Sequence, residues 1–289
     1  MNDKRDRQRA NRDTARLAAA EADAASRRKR SMILVGVVAV VGVLIIALLA
    51  ARGGDDEPET VTEPAVADTS DTTDSTETTP TESASGVPEG CPAEDGSSPR
   101  TIVFAGPQPM CIDPTQTHVA VFDTSMGEIR VTLDAASVPI TVNNFVTLAR
   151  WGYYDGTTIH RTAPSIDIIQ GGSPTTESAA DPGPGYTIPD EPQFDQTANG
   201  MVGPYRYVPG QLVMARTPAP DSASAQYFFT TGPNAALLDS QGVYVVFGET
   251  DEAGLAVTQD IIGLHVEQGA LGGAPSETVT VNSVTIEVS

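Results

Sequence analysis

Five short blocks hold the side chains best suited to chemistry in this 289-residue chain. They are Ile159-His160-Arg161, Ile168-Ile169-Gln170-Gly171-Gly172, Met214-Ala215, Gln226-Tyr227-Phe228-Phe229 and Val245-Val246-Phe247-Gly248. A guanidinium such as that of Arg161 is always charged and presents fixed donors. It suits a reaction whose transition state localises a lone pair or a negative charge, and it needs neither a nucleophile nor a proton shuttle. Taken alone, Arg161 in a strand reads more often as a surface charge, and Phe228 more often as core. Other chemistries find no support. No Gly-x-Ser-x-Gly elbow or phosphate loop occurs, and His118, His160 and His265 lack metal-ligand spacing. Asp190 and Glu191 are adjacent, and neighbours in an extended chain point to opposite sides, which argues against a paired acid/base site. No metal or cofactor is expected.

In order and spacing the blocks resemble the cyclophilin family of peptidyl-prolyl isomerases, over roughly residues 117–288. Pro184-Gly185-Tyr186-Thr187-Ile188-Pro189-Asp190-Glu191 also matches a segment of bacterial members. The resemblance implies rotation about an X-Pro bond, whose barrier of about 18–20 kcal/mol comes from imide resonance. It implies Arg161 and Gln170 as the catalytic pair. Arg161 would hydrogen-bond the prolyl nitrogen only when that nitrogen pyramidalises, while Gln170 holds the arginine and contacts the substrate carbonyl. Phe228 and Leu238 match the apolar cup for the proline ring, with Gln226 and the backbone at Ala215 and Arg216 lining the groove. His160, Met214 and Tyr244 complete the substrate-binding set.

Several positions depart from the family pattern. Ile166 stands where a Phe is usual, and the Arg161 to Gln170 spacing differs by one residue, so the cup position falls to Ile166 or Ile168. Arg216 replaces a frequent Asn, and Tyr244 a His. Leu237 replaces a Trp that, in some members, donates an indole hydrogen bond to the cyclic peptide cyclosporin. The expectation is catalysis retained, with slower turnover and altered peptide preference. The alternative is a catalytically weak proline-peptide binding module or chaperone.

Charge divides the chain. Residues 1–31 hold ten Lys or Arg against five acidic residues, a balance of +5, whereas residues 53–289 hold six Arg and thirty-three acidic residues, a balance of −27. Between them lie twenty uncharged residues, 32–51, opening at Met32 and closing at Ala51. At 1.5 Å per residue they span a hydrocarbon core about 30 Å thick. Arg27-Arg28-Lys29-Arg30 precedes this run and Asp55-Asp56-Glu57 follows it, which places the N-terminus in the cytoplasm and the remainder outside. The run is read as an uncleaved signal anchor, with a cleaved signal peptide as the alternative. Residues 52–90, almost entirely Thr, Ser, Asp, Glu, Pro, Ala and Gly, read as a disordered tether. An external charge of −27 is repulsive to nucleic acid. The chain is expected to be monomeric.

The only cysteines, Cys91 and Cys111, fall on the external side and are expected to pair, closing residues 91–116 as a short pre-domain. Free thiols or an intermolecular bridge are the alternatives. Residues 117–289 carry the globular pattern. Alternation over 118–124 and 128–133 about Ser125-Met126-Gly127 predicts a hairpin. Pro139 with Val142, Phe145, Val146 and Ala149 predicts a helix over 137–151. Short strands follow near 158–161, 167–170, 211–215, 226–230 and 243–247, then a helix near 254–264 and a last strand over 278–288. Many short strands with two helices argue for an antiparallel barrel. The resemblance makes it a closed eight-stranded one with a helix over each open end.

Overall fold

The computed structural model describes residues 89–269 and 272–289. The basic arm 1–31, the apolar run 32–51 and residues 52–88 of the expected tether lie outside them. Among the described residues no helix is long and apolar enough to cross a membrane.

Among the described residues the first elements are β1 (His118–Thr124) and β2 (Gly127–Leu133), the expected hairpin, followed by α1 (Pro139–Arg150). Then come β3 (Thr157–Thr158), β4 (Arg161–Ala163), β5 (Ile168–Gly171) and a separate hairpin, β6 (Asp195–Thr197) with β7 (Gly200–Val202). β8 (Gln211–Met214) and β9 (Tyr227–Thr230) lead into a 3-10 helix, Pro233–Ser240. β10 (Val246–Thr250), α2 (Glu252–Gly263), β11 (His265–Glu267), β12 (Gly273–Pro275) and β13 (Thr280–Val288) complete the fold.

Eleven strands form one antiparallel sheet, in the order β11-β12-β4-β5-β9-β8-β10-β2-β1-β13-β3. The expected closed eight-stranded barrel is therefore corrected: the sheet is larger and curled, and no ladder joins its two ends among the described residues. Two features account for this. The β11–β12 hairpin extends one end, and the expected strand near 158–161 is split into β3, paired with β13, and β4, paired with β5 and β12. Between them Ile159 N donates to Val279 O and His160 N to Gln170 O, so single hydrogen bonds stand where a ladder would close the sheet.

Period-two alternation sorts side chains into two apolar clusters. Ile169, Leu212, Met214, Tyr227, Phe229 and Phe247 join the larger, together with Val142, Phe145, Val146 and Ala149 of α1. Its aromatic rings meet at 5.4 Å for Phe122 and Tyr227 and 5.2 Å for Phe145 and Phe247. Ala163, Ile168, Val213 and Phe228 belong to the smaller cluster, on the other face.

Asp190 and Glu191 diverge as their adjacency requires. The Glu191 carboxylate accepts from Ile140 N at 3.0 Å and Thr141 N at 2.6 Å, capping α1, whose N-cap Val138 has no acceptor side chain. The pre-domain segment is a strap on the globular region. Cys91 and Cys111 are disulfide-bonded, Asn143 of α1 accepts from Cys111 N and donates to Pro109 O, and Phe104 packs between Trp151 and Tyr186.

Candidate active site

Strand register assembles the site. Arg161 lies opposite Gln170 across β4 and β5, and Gln170 lies opposite Phe228 across β5 and β9. Cross-strand partners share a face, so guanidinium, amide and ring stand in one row. Arg161 Nη1 donates to Gln170 Oε1 at 2.8 Å, and Gln170 Nε2 donates to Gln226 Oε1 at 2.9 Å. Gln226 Nε2 in turn donates to Ala179 O at 3.3 Å. This relay fixes the orientation of each amide and holds the guanidinium plane. Burial pushes the Arg161 guanidinium below the ordinary arginine value, with Tyr244 opposing, and an arginine so placed keeps its charge.

Beside that row lies the smaller cluster, an apolar cup. Ile168 and Phe228 are among its buried residues, and Ile166, Ala215, Leu238 and Tyr244 pack against it. Tyr244 meets Phe228 edge-on at 5.7 Å. In the connection from β4 to β5, where the Arg161 to Gln170 spacing departs from the family pattern, Asp167 adopts φ +47°. Ile166 reaches the cup from that turn and Ile168 from the strand, so both contribute. Asp167 also accepts from Asn234 N at 2.7 Å, anchoring the start of the 3-10 helix that delivers Leu238. Leu237, next to Leu238, is 49% exposed and does not pack on the cluster.

Met214 and His160 sit away from the cup, and at Arg216, where the expectation concerns only the backbone, the side chain is buried elsewhere. Met214 is 0% exposed within the larger cluster; its neighbour Ala215 faces the cup, and strand alternation turns Met214 to the opposite face. The Arg216 side chain is 2% exposed, its Nη2 3.3 Å from Asp190 Oδ2 and its guanidinium 5.0 Å from the Phe194 ring centroid. It serves the wall behind the groove, leaving only backbone for a peptide. His160 is half-buried outside the cup, and among the described residues neither ring nitrogen has a hydrogen-bond partner. Burial, then Arg161, pushes its pKa down to about 4, with Asp181 opposing.

Sequence reasoning missed Tyr207, whose hydroxyl donates to Tyr244 O at 3.0 Å and accepts from Tyr244 N at 2.8 Å, fixing that wall of the cup. It sits in a Gly- and Pro-rich stretch that carries no periodic signal.

An arginine held by a glutamine, beside a small apolar cluster, is the arrangement that the cyclophilin resemblance implies. The model of cyclophilin type peptidyl-prolyl cis-trans isomerases matches residues 119–286, and the chain belongs to that family. It is 35% identical over 180 residues to a probable peptidyl-prolyl cis-trans isomerase B of Mycobacterium tuberculosis, covering 61% of this chain and 56% of that protein. The chain thus spans little more than half of that relative. Peptidyl-prolyl cis-trans isomerase A of Dickeya dadantii is 33% identical over 178 residues, covering 60% of this chain and 85% of that one. For peptidyl-prolyl cis-trans isomerase B of Escherichia coli the identity is 33% over 175 residues, with 58% and 99% covered. A crystal structure of a Cryptosporidium parvum cyclophilin type isomerase, in the presence of the dipeptide Ala-Pro, aligns with a TM-score of 0.47 at 23% identity, covering 58% of this chain and 98% of that one.

Proposed function

We propose that this protein is a peptidyl-prolyl cis-trans isomerase acting on proline-containing segments of secreted or surface proteins outside the cytoplasmic membrane. The observation that carries the reading is the 2.8 Å contact of Arg161 with Gln170 on the face shared with Phe228. Bringing isomerisation from about a hundred seconds to milliseconds, about five decades, requires roughly 7 kcal/mol off the barrier. The cup holds the proline ring, and the Gln170–Gln226 relay and the backbone at Ala215 and Arg216 hold the flanking peptide. Arg161 then donates to the prolyl nitrogen as its lone pair localises in the twisted state, a bond the planar ground state cannot accept.

The external location rests on the +5 and −27 balances about residues 32–51, and the Cys91–Cys111 disulfide suits an oxidising compartment. On this reading the basic arm 1–31 is cytoplasmic, 32–51 is a membrane anchor, 52–90 is a tether, 91–116 is a strap and 117–289 is a monomeric catalytic domain. Exchange spectroscopy of a short X-Pro peptide with the full chain tests the activity. Cis–trans exchange at substoichiometric protein supports the enzyme; shifted resonances without faster exchange would leave a binding module.

A further inference from the structure

A second cavity, of about 310 Å³, lies beside the disulfide strap and shares no residue with the proline cup. Arg150, the last residue of α1, lines it and is only 6% exposed. Among the described residues Arg150 makes no ion pair, and its buried Nε has no hydrogen-bond partner. A guanidinium has five N–H donors and no acceptor capacity, so burying one without an oxygen partner is costly. Glu94 lines the same cavity and is near enough for its charge to act on Arg150, yet it is exposed and not bonded to it.

Opposite charge and lone pairs complete the lining. His118 is 1% exposed, and its Nε2 lies 2.9 Å from Asp113 O. A carbonyl only accepts, so Nε2 carries the proton and Nδ1 offers a lone pair. That Nδ1 is buried with no partner among the described residues. Asp113 Oδ1 accepts from Thr115 N at 2.9 Å and Thr115 Oγ1 at 2.7 Å, which leaves Oδ2 available.

We infer that this cavity binds the zwitterionic head of an α-amino acid. The carboxylate lies on Arg150, and the ammonium lies among Asp113, Glu94 and His118 Nδ1. A bare anion would meet two carboxylates and a bare cation would meet the guanidinium; a zwitterion satisfies both sides at once. The volume stands at the small end of the roughly 300–1,000 Å³ range of ligand pockets, as such a ligand requires.

Calorimetry on the full chain at neutral pH, with glycine and L-alanine as probes and acetate and methylammonium as their halves, tests the assignment. Saturable binding of the amino acids is expected, at least about tenfold tighter than either half, since each half forfeits one charge-assisted contact. Arg150→Gln should weaken binding at least about tenfold for the same reason. Glu94→Gln, at an exposed position that leaves folding untouched, should weaken it severalfold. No saturable binding of either amino acid, acetate binding as tightly as glycine, or binding that survives Glu94→Gln and a folded Arg150→Gln would each overturn the inference. None of these readouts depends on isomerase activity.

Discussion

An arginine held by a glutamine is neither acid nor base near neutrality, and its neighbour His160, with a pKa of about 4, is neutral there as well. Turnover should therefore be flat in pH. We expect kcat/KM to change less than about twofold between pH 6 and 8, whereas a midpoint near 6.5, the ordinary histidine value, would mean that a titrating imidazole takes part. Stability has a definite sign. The folded pKa of His160 lies below its unfolded value, so as pH falls below about 6.5 the unfolded chain takes up the proton first. The contribution is complete above that pH and is lost on the way down to about 4. A thermal-melt series should show a shallower loss over this window for His160→Gln, and identical slopes would show that the ring is not buried as described. Leu237 lacks a donor for cyclosporin. The absent hydrogen bond of about 0.5–1.5 kcal/mol and lost ring contact predict affinity weaker by about one to two decades than in Trp-bearing members. Leu237→Trp should recover part of this in a binding titration while changing peptide turnover less than about tenfold; no gain would show that Leu237 does not occupy the position of that Trp.

The elements that position the site were legible wherever burial imposes a period. Val142, Phe145, Val146 and Ala149 mark the side of α1 that joins the larger apolar cluster, although the rest of the helix from Thr141 on is buried as well, and the alternation of β1 and β2 gives their hairpin. The same rule, applied to the neighbours Met214 and Ala215, separates them onto opposite faces, and it was the family resemblance, not the periodicity, that grouped them. What stayed hidden lacks a buried face or depends on distant partners. β6 and β7 are almost wholly exposed, with only Asn199-Gly200 as a turn signal, and the α1 cap comes from Glu191, some fifty residues on. That cap predicts a loss of about 1–2 kcal/mol for Glu191→Ala in denaturant unfolding, since two helix N–H groups lose a charged acceptor; an unchanged midpoint would count against it. The strap makes a separate demand. Closing the loop between Cys91 and Cys111, twenty residues apart, is worth about 3 kcal/mol in the chain-entropy model. Replacing both by Ser should lower stability by about that amount, and no change would mean that packing of Phe104 and Ile112 alone holds the strap.

At the scale of the whole molecule, the proposed topology puts residues 53–289, a self-repelling tether and the globular region that together carry −27, outside the membrane. Protease added to intact cells should then remove the globular region, and protection of that region would reverse the orientation. On the proposed mechanism, the residues that would face a proline and those that face the core are the two sides of one sheet, so catalysis and folding would draw on alternate positions of the same strands. The central claim is that Arg161 acts on the twisted imide and not on the bound peptide. It is tested most directly by comparing Arg161→Ala with the unaltered full chain, measuring kcat/KM for an X-Pro peptide alongside its dissociation constant. The account predicts kcat/KM reduced at least about tenfold with the dissociation constant changed less than about threefold. Unchanged turnover, or a loss of binding that matches the loss of turnover, would contradict it.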